Sequence, residues 1–336
     1  MPSVDFQIES FRPARFLSNP HLQTSLASHL RKTNGVTFRR TRLDTPDGDF
    51  IDLDFADVDG KTWADLGDDT PICLMLHGLE GSARRGYAFE IYRQMAQCGI
   101  RPVGMNFRGC SGELNRTPRM YHAGLTSDIQ FVIEYLRVNF PSVKIGAVGA
   151  SLGANMMLKL LGEQGESCQL RAAVAISPPF DLTAGSGVLE RGIGKFYNRY
   201  LLRKLREKAK AKSPYIHDKV DLGRGLNATS IRVFDDAIIA PLYGFSNAED
   251  YYTQSSSGQF LHAIRRPTLL IRALDDPFFD PTDIPQSTID NNSHLYDGIV
   301  KHGGHVGFLE GSWWSPQFWA ERQAARFINM ALNDQR

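Results

Sequence analysis

A pentapeptide with a strand before it and a helix after it limits most strongly what this chain can fold into. The apolar run Val143–Val148 leads into Gly149-Ala150-Ser151-Leu152-Gly153, and the helical pattern of Leu152–Leu161 follows at once. A G-x-S-x-G at such a junction fits a sharp strand-to-helix turn, because side chains two residues either side of the serine would collide there. The turn exposes Oγ of Ser151 at the carboxyl end of a sheet, beside a helix N-terminus whose potential favours developing negative charge. A serine that only caps a helix in a glycine-rich turn is the competing reading, so the residues around the motif have to decide.

They continue the same pattern. From Pro71 onward, short continuous apolar runs alternate with helical segments, which implies a mostly parallel sheet of an α/β protein with helices on both faces. The expected strands are Ile72–Leu76, Arg101–Phe107, Val143–Val148 and Ala172–Ser177, followed by Thr268–Ala273 and His294–Val300; the helices include Tyr87–Cys98, Leu125–Asn139 and a terminal one over Pro316–Leu332. Ahead of them, the alternation in VTFRRTRL and FIDLDFADV around Pro46-Asp47-Gly48-Asp49 predicts an antiparallel hairpin at the sheet edge, its aspartates turned to solvent. Residues 1–35 read as an arm laid on the domain, residues 36–180 and 266–336 as the core domain. Residues 181–265, where the strand-helix rhythm gives way to a helical and strongly basic stretch, read as an inserted cap.

An activated serine needs a base and a group that orients the base, and in such a sheet both belong on loops after later strands. His305, in His302-Gly303-Gly304-His305, follows the last strand; glycines there let the backbone bring an imidazole over the serine, and His302 is its competitor. Asp275 and Asp276 follow TLLIRA. Asp276, directly before Pro277, is the preferred orienter, with Asp275 capping the turn and Asp280 and Asp283 as turn residues. The loop His77-Gly78-Leu79-Glu80-Gly81 after the first parallel strand would supply one half of an oxyanion hole, so the backbone N–H groups of Leu79 and Leu152 are the expected donors and His77 is structural. Neither glycine-rich loop has the lysine and hydroxyl of a phosphate loop or the spacing and acidic partner of a dinucleotide site.

Several segments together resemble the YheT-like branch of the α/β-hydrolases: HGLEGS at His77, NFRGCSGELNR at Asn106, YHAGLTSD at Tyr121, GASLGAN at Gly149, LDDPFFDP at Leu274, GGHVGF at Gly303, and the opening PARFLSNPHLQT. The resemblance runs from about Phe11 to Trp314. It implies the α/β-hydrolase fold and an esterase or lipase-like serine hydrolase acting on carboxylic or lipid esters, with phospholipases, monoacylglycerol lipases and alcohol acyltransferases among its relatives. Its triad falls on Ser151, Asp276 and His305. The chain departs from the branch in SARRGYAF after the oxyanion loop, which puts substrate contacts near Arg84 and Arg85 in doubt. Arg108, Asn115 and Arg116 would either form a network under the active site or only brace their long loop.

The chemistry expected is acyl transfer through an acyl-enzyme on Ser151, released to water or, alternatively, to an alcohol; a non-enzymatic binding protein on the same scaffold is the rival of another class. It calls for no metal and no organic cofactor. The 38 basic and 37 acidic residues nearly cancel, which leaves no field to attract nucleic acid, so the expected partner is a small-molecule or lipid ester. The Lys/Arg-rich stretch of the cap could touch an anionic head group at a membrane surface or be a plain solvated face. Four cysteines lack metal spacing, the aspartate turn lacks a calcium-loop pattern, and the N-terminus has acidic residues and prolines where a signal peptide needs a basic start and an apolar run; a cytoplasmic protein with reduced thiols is expected.

Overall fold

The computed structural model describes residues 6–312 and 314–333; residues 1–5 of the expected arm and residues 334–336 of the expected core lie outside them. Eight strands form one sheet: β1 (Val36–Asp44), β2 (Phe50–Val58), β3 (Ile72–Leu76), β4 (Arg101–Asn106), β5 (Ile145–Ala150), β6 (Ala172–Ile176), β7 (Thr268–Ala273) and β8 (Leu295–Val300), in the order β1-β2-β4-β3-β5-β6-β7-β8. From β4 to β8 all pairings are parallel, while β1 and β2 add an antiparallel edge.

The parallel strands are short and uniformly apolar because both their faces are covered. In β3, Ile72, Leu74 and Leu76 face one core, with Ile129, Val132 and Leu136 of the helix Ser127–Asn139 and Met157 and Leu161 of the helix Leu152–Gln164. The alternate residues Cys73 and Met75 face the other, with Phe89 and Tyr92 of the helix Gly86–Gln97 and Trp319, Phe327 and Ile328 of the helix Trp319–Asn333. All four cysteines are free thiols.

Three expectations are corrected. The terminal helix begins at Trp319, since Ser315–Phe318 pairs as a strand, β10, with β9 (Leu309–Ser312). Residues 20–30 are an α-helix with buried residues rather than a surface arm: Asn19 accepts from the N–H groups of His21 and Leu22, Pro20 takes the first helical position, and Gln23 and Ala27 are fully covered. Of the hairpin aspartates, Asp44 and Asp47 are exposed as expected, but Asp49, Asp52 and Asp54 are buried. Asp52 and Asp54 sit on β2, between two neighbouring strands, and each is held by a bidentate arginine of β1, Arg42 and Arg40 respectively, with Arg84 adding a second clamp on Asp54.

Between β6 and β7 the chain is helical, including Leu182–Leu189, Gly194–Ala211 and Ala248–Ser255, and covers the carboxyl ends of the strands. No helix among the described residues is long and apolar enough to cross a membrane.

Candidate active site

Ser151 stands between the end of β5 and the first turn of the helix Leu152–Gln164, with φ +53° and ψ −120°. That conformation is costly for a residue with a side chain, on the order of 1–3 kcal/mol, and persists only where the surroundings enforce it. They do so through the flanking glycines. A Cβ on Gly149 would lie 2.6 Å from Ala154 Cα, and one on Gly153 2.5 Å from the carbonyl oxygens of Leu76 and His77.

His305 Nε2 lies 3.0 Å from Ser151 Oγ, and His305 Nδ1 lies 2.9 Å from Asp276 Oδ2. Because a carboxylate only accepts, Nδ1 carries the proton and Nε2 is left to accept from the serine hydroxyl. Asp276 is buried; its Oδ1 accepts from the Phe278 N–H, and the fully buried guanidinium of Arg272 approaches Oδ2 at 3.9 Å. Phe278 stacks on the imidazole at 4.1 Å between centroids and Phe279 meets its edge at 5.3 Å. These aromatics were not singled out in the sequence, although they follow Asp276 directly in DDPFF.

The competing residues pair with each other. His302 Nδ1 is 3.0 Å from Asp275 Oδ2, and Asp275 Oδ1 accepts from the Gly304 N–H, so Asp275 caps the loop that carries His305. Asp280 caps its turn as expected, accepting from Thr282. Asp283 ends the same turn as expected, but its carboxyl is buried against Arg272 at 3.0 Å, and burial pushes it up to about 6 against the opposing pull of that arginine. Arg272 comes from inside β7 and thus ties Asp283 beneath Asp276.

The loop after β3 is pinned by two phenols. Tyr87 Oη accepts from Gly78 N–H and Tyr121 Oη from Glu80 N–H, while Gly81 N–H donates to Gly78 C=O. Among the described residues the intervening Leu79 N–H has no acceptor, nor does Leu152 N–H in the first helical turn, and both residues line the cavity over Ser151. Gly78 is close enough that a Cβ there would lie 3.1 Å from Ser151 Cβ. His77 is buried beneath the loop, its Nδ1 2.8 Å from Gly78 C=O and its Nε2 accepting from Phe107 N–H; burial lowers its pKa to about 3, so it is a neutral structural group.

Arg108 and Asn115 lie outside the cavity. Arg108 is buried among Asp128, Asp49 and Asp47, and Asn115 bonds Asp49 and receives Lys212 from the helical stretch between β6 and β7. Arg116 is exposed and reaches Asp44. All three brace the loop. Of the arginines after the Gly78–Gly81 loop, Arg85 lines the cavity and Arg84 is spent on Asp54.

The His305 loop leans on the N-terminal helix. His305 N–H donates to Thr24 Oγ1 at 2.9 Å, Gln23 Oε1 accepts from Leu309 N–H, and Arg31 donates to the carbonyls of Val306 and Gly307 while forming a buried 2.6 Å ion pair with Glu321. Gly304, at φ +61°, passes so close to that helix that a Cβ would meet Pro20 C=O at 2.4 Å. Above Ser151 opens a cavity of about 720 Å³, whose far wall is made of Leu182, Leu189, Leu201, Leu205 and their neighbours between β6 and β7.

Comparison with known proteins agrees with this geometry. Residues 71–312 match the model of the alpha/beta hydrolase fold family. The chain is 39% identical to YheT of Escherichia coli (strain K12) over 324 residues, 96% of this chain and 94% of YheT. It is 30% identical to phospholipase ABHD3 of Mus musculus, covering 95% and 78%, and 30% identical to a monoacylglycerol lipase of Saccharomyces cerevisiae, covering 78% and 60%. Among solved structures, the Pyrococcus furiosus esterase Pf2001 shares the fold with a TM-score of 0.57 at 16% identity, covering 98% of this chain and 100% of that one. The chain therefore belongs to the α/β-hydrolase fold family, in its YheT-like branch.

Proposed function

We propose that this protein hydrolyses carboxylic esters with an apolar acyl group through an acyl-enzyme on Ser151. The observation that carries the reading is the unbroken hydrogen-bond chain Ser151–His305–Asp276 opening onto a largely apolar cavity. As Ser151 Oγ bonds to the ester carbonyl carbon, His305 Nε2 takes its proton, and Asp276 stabilises the imidazolium. The N–H groups of Leu79 and Leu152 receive the oxyanion; removing one such donor costs about 3 kcal/mol in comparable sites. The imidazolium returns the proton to the departing alkoxide. A water then gives its proton to Nε2 as it attacks the acyl carbon, and the imidazolium returns that proton to Oγ as the acyl–Oγ bond breaks, releasing the acid and the free serine.

In this reading residues 36–180 and 266–336 form the catalytic domain and residues 181–265 a cap that supplies the acyl pocket. The names of the relatives, a phospholipase and a monoacylglycerol lipase, favour a lipid ester. So does the cap surface: Ile193, Phe196 and Tyr200 are exposed among Lys195, Arg199, Arg203 and Lys204, and Phe196 and Tyr200 reach the cavity. Apolar side chains ringed by basic ones suit an anionic lipid surface.

Turnover of p-nitrophenyl acyl esters of increasing length tests the reading. Activity should fall about 10⁴-fold or more in Ser151→Ala; activity that survives the substitution contradicts it. Product analysis with glycerol present separates hydrolysis from transfer to an alcohol.

A further inference from the structure

The cap's share of the cavity is mainly aliphatic and aromatic, and one acid interrupts it. In the helical run from Ile231 to Tyr243, the residues Ile231, Asp235 and Ile239 all face the cavity, as residues four apart on a helix do. A plain acyl pocket would keep the middle position apolar. Here it holds the one carboxyl group that the cap residues lining the cavity contribute, among the described residues.

Asp235 is only 8% exposed. Its Oδ2 accepts from the Tyr252 hydroxyl at 2.8 Å, and no donor among the described residues is paired with Oδ1. Service to Tyr252 accounts for one oxygen and leaves the other. Burial also pushes this carboxyl up to about 7, against the lowering effect of the Tyr252 hydroxyl. The backbone is unusual at the same place: Ala240 N–H donates to Asp235 C=O, so the helix takes a wide π turn over Asp235–Ile239 between two α-helical turns. Such turns are found mostly where a helix is bent to serve a site.

We propose that Asp235, held by Tyr252, is a binding subsite for a hydroxyl group of the substrate remote from the scissile ester. The proposal rests on the cavity being the ester-binding pocket and specifies what that pocket selects. A hydroxyl fits better than a cation. It donates to Oδ1 when the carboxyl is ionised and accepts from it when the carboxyl is protonated, whereas an ammonium group would have to be stripped of water among leucines and isoleucines. The hydroxyl can belong to the acyl chain or to the alcohol part; the cavity admits both, and the chemistry at Asp235 is the same.

Steady-state kcat/KM on matched esters reads the subsite. Propyl dodecanoate is compared with propyl hydroxydodecanoates bearing a mid-chain or terminal hydroxyl, and with glyceryl dodecanoate. At least one hydroxylated ester should be preferred about tenfold or more, since a site built to bond a hydroxyl rejects the analogue that lacks it. The acyl-chain and alcohol arms show which part carries the group, and the ratio should fall to about one in Asp235→Leu. Absence of preference in the wild-type protein, or a preference that survives Asp235→Leu, overturns the proposal. Should Asp235→Leu fail to fold, Asp235→Ala reads the same ratio. Failure to hydrolyse any of the esters would count against the hydrolase reading instead. In that event, binding of the same pairs to wild-type protein decides: tighter binding of a hydroxylated member supports the subsite, and equal binding overturns it.

Discussion

Two loops bring Ser151 and His305 together, and they are held in different ways. The turn at Ser151 is enforced locally: Gly149 and Gly153 clear its path, and the adjoining strand and helix fix a positive φ. The loop at His305 is held from a distance, by Thr24 across 281 positions of chain, by Arg31 and Gln23 of the same helix, and by Asp275 and Ser177, which accept from Gly304 and Val306 N–H. The Ser151 turn can be specified by a pentapeptide because its strain and its relief are neighbours in sequence. An imidazole that must reach over it needs a scaffold, and this chain builds one from its N-terminal helix.

Substitutions separate these supports. Asp276→Asn should have the largest effect, about 10⁴-fold in kcat, because an amide can donate to Nδ1 and favour the wrong tautomer. Asp275→Asn, which loosens the loop without touching the His305 ring, should cost far less. Comparable losses in the two variants, read as kcat on one ester, would assign the orienting role to both carboxylates.

Arg31→Ala tests the distant scaffold. It leaves Glu321 buried without its partner, for which about 3–5 kcal/mol of stability is expected to be lost. Denaturant unfolding measures this, and a change below about 1 kcal/mol would show that the helix is not a structural support.

Smaller still is Thr24→Val, which removes the acceptor of His305 N–H. About 1.4 kcal/mol, or tenfold in kcat, should be lost without much change in KM, and Thr24→Ser should restore it. Equal activity in the valine variant would mean that the loop holds His305 without this contact. On stability the least effect runs the other way: denaturant unfolding should find Ser151→Gly about 1 kcal/mol more stable, because the positive φ is relieved.

The parallel sheet was legible because each strand is a short apolar run between turn residues, and the Ser151 turn and the Asp275-Asp276-Pro277 loop because their motifs lie on single connections. The N-terminal helix was not. Only Gln23 and Ala27 of it are fully buried; apart from a small apolar contact of Ala27 and Leu30 with Leu309 and Phe318, it is held by hydrogen bonds and, at its C-cap, by the Arg31–Glu321 ion pair, which leave little apolar period to read. Asp52 and Asp54 read as solvent-facing hairpin residues, and Asp283 as a plain turn residue, for a related reason: the sequence names the carboxylate and not the arginine that folding brings against it. Asp235 was hidden within a helix whose π turn shifts its register.

The central claim is that Ser151 is the one activated nucleophile, and a fluorophosphonate tests it most directly. Intact mass and peptide mapping of the folded protein should show a single adduct on Ser151, and none after denaturation or in His305→Ala. An adduct on another residue, or no adduct in the folded protein, would contradict the account.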